Sequence, residues 1–99
     1  MDLVKANFSK GTPWEFFYYR DNNQVEVDLI LARGSESIPI EIKLSQSPNE
    51  RMVSGIRSIG VLLGHKRAYL LNSRNDTMTL SQGEKAMHWY RFIREEGIL

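Results

Sequence analysis

Apolar and polar residues alternate in two neighbouring segments of the chain, residues 25–31 and 38–44. In the first segment every second position is apolar: Val25, Val27, Leu29 and Leu31. The second segment repeats this spacing: Ile38, Ile40, Ile42 and Leu44. A period of two is typical of β-strands with one buried face, and the turn formers at residues 33–36 separate the two segments. The pattern therefore predicts a β-hairpin over residues 25–43.

Three further segments are predicted to be strands. Residues 14–20 are dense in aromatic side chains, which favour extended backbone, and the turn Asp21-Asn22-Asn23 follows them. Residues 66–72 centre on Tyr69-Leu70-Leu71, a pattern that indicates a strand buried on both faces. After a turn at residues 73–76, residues 77–80 are predicted to form a short strand. The polar opening segment shows no clear element of its own.

One segment carries the signals of a helix. Ser47 is a residue type that caps helices, Pro48 fits the first helical position, and Glu50 would complete a capping box with Ser47. Gly64 provides a stop signal. Apolar residues between these limits recur at helical spacing: Met52, Val53, Ile56, Ile59, Gly60 and Leu63. We therefore predict a helix from Ser47 to Gly64.

The last part of the chain supports two interpretations. Residues 81–84 could cap a helix that continues through Ala86, Tyr90 and Ile93, whereas residues 87–90 could also be extended. We favour the short helix. The predicted order is then β-β-β-α-β-β, followed by that helix. This order indicates an α/β fold with a mixed central sheet of about five strands, in which the first helix is a crossover.

Length and composition agree with one small soluble domain over residues 1–99. Charged residues make up 25% of the chain and the net charge is +1, so the overall charge neither demands nor excludes a nucleic-acid partner. The absence of cysteine excludes disulfides and thiolate metal sites. No run approaches the roughly 20 apolar residues of a membrane span. We expect a cytoplasmic protein without a membrane partner, and the polar opening segment suggests a fragment of a longer chain.

The hairpin brings two acidic residues together. A loop of even length centred on Gly34 and Ser35 pairs residues whose numbers sum to 69, which places Asp28 opposite Glu41. Directly opposed Cβ atoms lie roughly 4.5–5.5 Å apart. A loop of odd length would mix the apolar and polar faces, against the clean alternation of both strands. The predicted register thus places Asp28, Glu41 and Lys43 on one face and the valines and isoleucines on the other.

Two carboxylates this close repel each other unless a cation lies between them. Mg²⁺ or Mn²⁺ suits such a pair, because these ions take hard oxygen ligands and keep several waters. Lys43 could then orient or deprotonate a water, or stabilise a phosphate in its transition state. The alternative is a half-solvated face on which Glu26, opposite Lys43, forms a weak ion pair with it. His88 has no partner at metal-ligand spacing, so we expect no zinc site.

Two arginines are candidates for binding a phosphate substrate. Arg20 follows the aromatic strand and could contact a phosphate or instead pair with a nearby carboxylate. Arg57 lies with Arg51 on the polar side of the predicted helix, where both could follow a nucleic-acid backbone. The alternative for Arg51 and Arg57 is that both are simply exposed to solvent.

A family resemblance rests on three stretches taken in order. Tyr18-Tyr19-Arg20 precedes Glu26-Val27-Asp28-Leu29, and Ile40-Glu41-Ile42-Lys43 follows. The chain resembles, over roughly residues 3–93, the C-terminal domain of a large family of prokaryotic AAA+-type ATPases. Those proteins have an aromatic-aromatic-Arg segment before an E-V-D-[FL] strand and an I-E-[IV]-K strand. The helix and the Arg67-Ala68-Tyr69-Leu70-Leu71 strand also fit.

The resemblance implies a restriction-endonuclease-like core of the PD-(D/E)XK nuclease superfamily, with Asp28, Glu41 and Lys43 at the motif positions. It also implies an N-terminal ATPase domain in the full-length protein, since this chain has no G-x-x-x-x-G-K-[ST] motif. Active members of the superfamily often add a Glu from a helix before the first strand, where this chain has Asn7. The alternative is an inactive nuclease-fold module that binds nucleic acid, a protein partner or its own ATPase domain.

Overall fold

The computed structural model describes residues 2–6, 14–44 and 47–96. Its described strands form one seven-stranded mixed sheet in the order β1-β2-β3-β4-β5-β7-β6. The strand bounds are β1 (Asp2–Ala6), β2 (Glu15–Arg20), β3 (Glu26–Arg33), β4 (Glu36–Ile42), β5 (Tyr69–Asn72), β6 (Met78–Thr79) and β7 (Lys85–His88). Strands β1 to β4 are consecutive antiparallel neighbours, whereas β5 lies parallel to both β4 and β7. The α/β class and the mixed sheet are therefore confirmed.

The sheet is wider than predicted because two strands are formed by long-range pairing. Asp2–Ala6 pairs antiparallel with β2 although its own sequence carries no strand signal, and it is a strand where the resemblance suggested a helix. Asn7 lies outside the described residues. Lys85–His88 is β7 and not part of the predicted terminal helix, because it is held between β5 and β6 with Ala86 and Met87 buried. Only Trp89–Glu95 forms a helix there, α2.

The predicted crossover helix is present but begins later than expected. A 3-10 turn over Glu50–Val53 leads into α1, Ser54–Leu63, and the helix connects the parallel strands β4 and β5. The cap of the 3-10 turn is Asn49, whose side-chain oxygen accepts a hydrogen bond from the Arg51 N–H at 3.0 Å, so the assignment of the cap to Ser47 was wrong. Gly64 ends the helix in the left-handed conformation, as predicted. In the described part of the chain, no helix combines the length and apolarity needed to cross a membrane.

Both faces of the sheet are buried, one under α1 and the other under α2. Leu31, Ile38 and Ile40 share the α2 side with Phe92, which confirms the predicted common face for these residues. Ile30, which the alternation placed on the polar face, is buried with Ile56 under α1. The assignment of Ile42 and Leu44 to the core was wrong, because they are 44% and 76% exposed.

The predicted hairpin register is confirmed. The pairs run from Arg33 opposite Glu36 to Leu29 opposite Ile40, so paired residue numbers sum to 69. On its other side β3 has a register shift, because its pairing with β2 moves from Phe17–Ile30 to Tyr19–Val27. Between these two pairs β3 has two residues, Asp28 and Leu29, whereas β2 has only Tyr18. The irregularity also explains why Val27 lies in the core under α1, whereas Leu31 lies under α2.

Candidate functional site

Asp28 fills a position that the β3–β4 ladder leaves open. Backbone pairing with β4 ends at Leu29, and the Asp28 carboxylate Oδ2 accepts a hydrogen bond from the Ile42 N–H at 2.9 Å. The carboxylate therefore takes the place of a backbone carbonyl as partner of this N–H. The register shift beside it aims Asp28 at β4, consistent with the role of bulges in re-aiming side chains near sites.

Glu41 is buried against Asp28. Its side chain is 5% exposed and shares a hydrogen bond with the Asp28 carboxylate. Burial is the largest cause that raises the pKa of Glu41 to about 8, and the hydrogen bond and negative charge of Asp28 add to it, whereas Lys43 opposes the shift. At neutral pH the pair therefore holds a proton. The structure excludes the alternative in which Glu41 is simply solvated.

The carboxylate pair opens into a cleft of about 240 Å³ between the hairpin and α1. Its lining includes Glu26 and Asp28 from β3, Lys43 after β4, and Arg51 and Ser54 at the start of the helix. The helix lies very close to β3, since a Cβ placed on Gly55 would be 2.2 Å from the carbonyl oxygen of Glu26. The absence of a side chain at this position lets α1 form the wall of the cleft.

Lys43 lies at the cleft with its side chain exposed. Its backbone N–H donates to the Leu71 carbonyl at 2.9 Å, which fixes the chain directly after β4. Asp28, Glu41 and Lys43 thus line one cleft, as the prediction of a shared site requires. The predicted division of faces was only partly right, because Val27 and Ile30 lie on the α1 side together with the cleft. The sequence also allowed an ion pair between Glu26 and Lys43, but the structure pairs Glu26 with a different residue. The Glu26 carboxylate lies 3.4 Å from Arg20.

The two candidate substrate arginines lie in different surroundings. Arg20 forms an exposed ion pair with Glu26, at the edge of the site, which is one of the alternatives that the sequence left open. Arg57 does not line the cleft. Its guanidinium donates two hydrogen bonds of 2.8 Å to the buried Glu84 and a further one to Glu50. The structure therefore does not bring Arg57 to the carboxylate pair.

The donor set suits one divalent cation held through two carboxylates. Glu41 keeps its proton at neutral pH, so a cation that displaces this proton could bind between the two carboxylates. The side chains that the structure describes contain no group of three or more His, Cys, Asp or Glu residues arranged around a metal. An ion bound here would therefore complete its coordination with waters or substrate oxygens.

Several lining residues of the cleft were missed from the sequence. Gln24, Ser54, Gly55 and Ser58 carry no motif, and only their place in the fold brings them to the carboxylates. The order of the elements could have predicted the lining residues that belong to the helix, because a right-handed crossover after β4 must pass back over the sheet. The first turns of α1 then necessarily lie over the hairpin.

Fold and site together define a small α/β domain with a mixed sheet and a carboxylate-lined cleft. The chain belongs to the family described as "Domain of unknown function (DUF4143)", whose profile matches residues 1–92. Comparison with curated proteins and with solved structures finds no match.

Proposed function

We propose that this domain is a nuclease-like module that hydrolyses phosphodiester bonds of nucleic acid with Mg²⁺ or Mn²⁺. The observation that carries the proposal is the pairing of the buried Glu41 with the Asp28 carboxylate in a cleft that Lys43 also lines. A pair of carboxylates with a nearby lysine is the donor set for metal-dependent phosphodiester hydrolysis. The core would then be restriction-endonuclease-like.

Each residue of the site has a role in this proposal. Asp28 and Glu41 hold the cation, which supplies Lewis-acid polarisation of a phosphate oxygen and acidifies a water when it is bound. Lys43 lies at the mouth of the cleft, where it can orient that water or stabilise negative charge on the phosphate. The Ile42 N–H fixes the Asp28 carboxylate, so the pair is preorganised by the backbone of β4.

The cellular context that we propose is an N-terminal AAA+-type ATPase domain in the full-length protein. It rests on the resemblance of the E-V-D and E-x-K segments, and the family membership of the chain is compatible with it. The ATPase domain would make the module part of a larger cytoplasmic enzyme.

A second candidate is a non-catalytic module of the same fold that binds nucleic acid, a protein partner or its own ATPase domain. It is favoured by the metal-ligand count, since the described side chains contain no group of three or more His, Cys, Asp or Glu residues that could hold a metal. The hydrogen bond from the Ile42 N–H also partly satisfies Asp28 without a cation.

The test combines thermal melts with digestion assays on the wild type, Asp28→Asn and Glu41→Gln. An ion that binds only the folded state stabilises it by mass action, so about 5 mM Mg²⁺ or Mn²⁺ should raise the melting temperature of the wild type. Both variants should lose this rise and the metal-dependent digestion of DNA or RNA. Asp28→Asn should be about as stable as the wild type without metal, because the amide oxygen can still accept the hydrogen bond from the Ile42 N–H.

Asp76→Asn is the matched control, because Asp76 is an exposed aspartate that forms an ion pair with Arg74 away from the cleft. It should keep both the metal response and the digestion. A wild-type melt that ignores both metals, together with a clearly destabilised Asp28→Asn, would refute the metal site and leave the non-catalytic module.

A further inference from the structure

On the α1 side of the sheet, the cleft at the carboxylate pair continues into a second cavity. This cavity is an open groove of about 510 Å³, whose described lining residues are Lys43, Asn49, Arg51, Met52 and Ser54. All of them except Asn49 also line the cleft. The groove therefore starts where the cleft ends, and a polymer whose reacting group lies at Asp28 and Glu41 can continue along it.

Arg51 is the arginine of this groove, and it differs from the other arginines of the described chain. Its side chain is exposed, and its guanidinium forms neither a hydrogen bond nor an ion pair with a described residue. Each of the other arginines that the structure describes contacts a carboxylate or an aromatic ring. An unpaired guanidinium can bind a phosphate without first giving up a carboxylate, so Arg51 is ready to bind an anion.

Lys43 supplies a second positive charge to the groove. Its side chain is exposed, and its ammonium group has no hydrogen bond or ion pair within the described part of the chain. The backbone is anchored at both cations, because the Lys43 N–H donates to the Leu71 carbonyl and the Arg51 N–H donates to the Asn49 side chain. The described lining residues of the groove include no acidic residue that would neutralise these charges. Such a surface attracts a polyanion.

The same lining offers little that could read a base. Its described residues include no aromatic ring on which a base could stack. The amide side chain among them is that of Asn49, and its oxygen already accepts the hydrogen bond that caps the 3-10 turn. Asn49 therefore does not present the free donor and acceptor pair with which an amide reads adenine. Contacts with the phosphate backbone carry no sequence information, so recognition in the groove rests on the charge of the backbone.

We propose that Arg51 and Lys43 bind backbone phosphates of a nucleic-acid substrate in this groove, beside the cleft, without reading the base sequence. Arg51 is then a substrate-binding residue that plays no part in holding the cation. The inference rests on the proposed function for the reaction that follows binding. Binding in the groove does not itself require hydrolysis, so the two can fail separately.

The experiment measures fluorescence anisotropy of labelled single-stranded DNA of about 12 nucleotides over a range of salt concentrations. EDTA is present, so that no divalent ion supports cleavage or competes with the salt. One probe has a mixed sequence and the other is oligo-dT. We expect the affinities of the two probes to agree within about threefold, because the groove contacts the backbone and not the bases.

Two variants test the phosphate contacts. Arg51→Gln and Lys43→Gln should each lower the magnitude of the slope of log affinity against log salt by about 0.7, the value for one phosphate contact to a single strand. Each should also weaken binding about five- to tenfold at about 50 mM salt. Both side chains are exposed, so thermal melts of the variants should match the wild type.

Arg94→Gln and Lys66→Gln are the matched controls for the arginine and the lysine. Both residues are exposed, and neither lines the cleft or the groove. These variants lose the same charge as the test variants but should leave the slope unchanged. An equal change of slope in a test variant and its control, or a strong preference for one probe sequence, would overturn the inference.

The role of Arg51 also predicts how digestion responds. Where the wild type digests DNA, Arg51→Gln should raise KM about five- to tenfold and leave kcat within about twofold, because uniform binding is lost and the cation is still held. An unchanged KM would refute the role of Arg51 and leave the proposed hydrolysis standing. The expected salt slopes without any metal-dependent digestion would support the groove and refute the hydrolysis.

Discussion

Ionisation of Glu41 couples the candidate site to the stability of the fold. In the folded chain the pKa of Glu41 is raised from 4.5 to about 8, chiefly by burial. Between these two values the unfolded chain has released the proton and the folded chain keeps it. The free energy of unfolding therefore falls as pH rises through this window, and the contribution of Glu41 is constant above it.

The first prediction concerns Glu41→Gln, which keeps the shape of the side chain and removes its titration. The wild type should lose stability on the order of a few kcal/mol between about pH 5 and about pH 8 relative to the variant. Urea melts of both proteins at several pH values measure this difference.

The ionisation of His65 also changes the stability of the fold in part of this pH range. Burial lowers the pKa of His65 from 6.5, so His65 makes the protein less stable as pH falls, with a slope opposite to that of Glu41. The comparison with Glu41→Gln cancels this effect, because both proteins contain His65. Parallel stability curves for the two proteins would show that Glu41 is ionised in the folded state at neutral pH.

A second prediction separates two isoleucines that alternate in the same strand. Ile40 is fully buried on the α2 side, so Ile40→Ala should cost on the order of 2–5 kcal/mol of unfolding free energy. Ile42 is 44% exposed, and Ile42→Ala should cost well under half of the loss at Ile40. Denaturant melts give both values directly. Equal losses would mean that the carboxyl end of β4 is covered after all.

At the scale of elements, the contact of α1 with β3 decides how the cleft is built. A third prediction uses the two glycines of α1 as a matched pair. Gly55→Ala should destabilise by about 1–3 kcal/mol, since its Cβ would lie 2.2 Å from the backbone oxygen of Glu26. Gly60→Ala meets only the His65 ring at 3.4 Å, so its higher helix propensity should leave stability unchanged or raise it. Thermal or urea melts measure both variants. An equal change of stability in the two would contradict this packing of α1 on β3.

A fourth prediction tests the start of the same helix. Asn49→Ala removes the hydrogen bond from its side chain to the Arg51 N–H and should cost about 1 kcal/mol. Asn75→Ala is the control in a turn, where the Arg91 guanidinium donates to the backbone carbonyl and not to the side chain. A urea melt in which Asn75→Ala is the more destabilised variant would contradict the assignment of the cap.

Across the whole molecule, one ionic network holds α1 to the far edge of the sheet. Arg57 in α1 binds Glu84, which directly precedes β7, and Glu50, which in turn accepts hydrogen bonds from Ser81. The side chain of Glu84 is 4% exposed, whereas that of Glu50 is 48% exposed. Breaking a buried pair leaves an uncompensated charge, so the two carboxylates should contribute very differently.

The fifth prediction is therefore that Glu84→Gln costs about 3–5 kcal/mol, whereas Glu50→Gln costs about 1 kcal/mol or less. The arginine lowers the pKa of Glu84, so the contribution of Glu84 is present at neutral pH and lost as pH falls through that lowered pKa. Melts at neutral pH give the difference between the variants. Similar losses at Glu84 and Glu50 would show that the network is solvated throughout.

The hairpin and its register from Leu29–Ile40 to Arg33–Glu36 were determined by the sequence itself. Alternation with a period of two and the length of the turn fix the register between neighbouring strands, and both are local properties of residues 25–43. The stop at Gly64 is equally local, because a left-handed residue after a helix favours glycine.

Only the tertiary structure decided how these residues are used. Glu41 is buried and protonated because α1 covers its face, and Arg57 is withdrawn from the site because the segment before β7 places Glu84 against it. Strands β1 and β7 exist through pairing with β2 and β5, since the sequence of β1 carries no strand signal and that of β7 is also compatible with a helix. Burial and strand pairing depend on residues far apart in the chain. Such long-range contacts do not appear in the periodicity of any one segment.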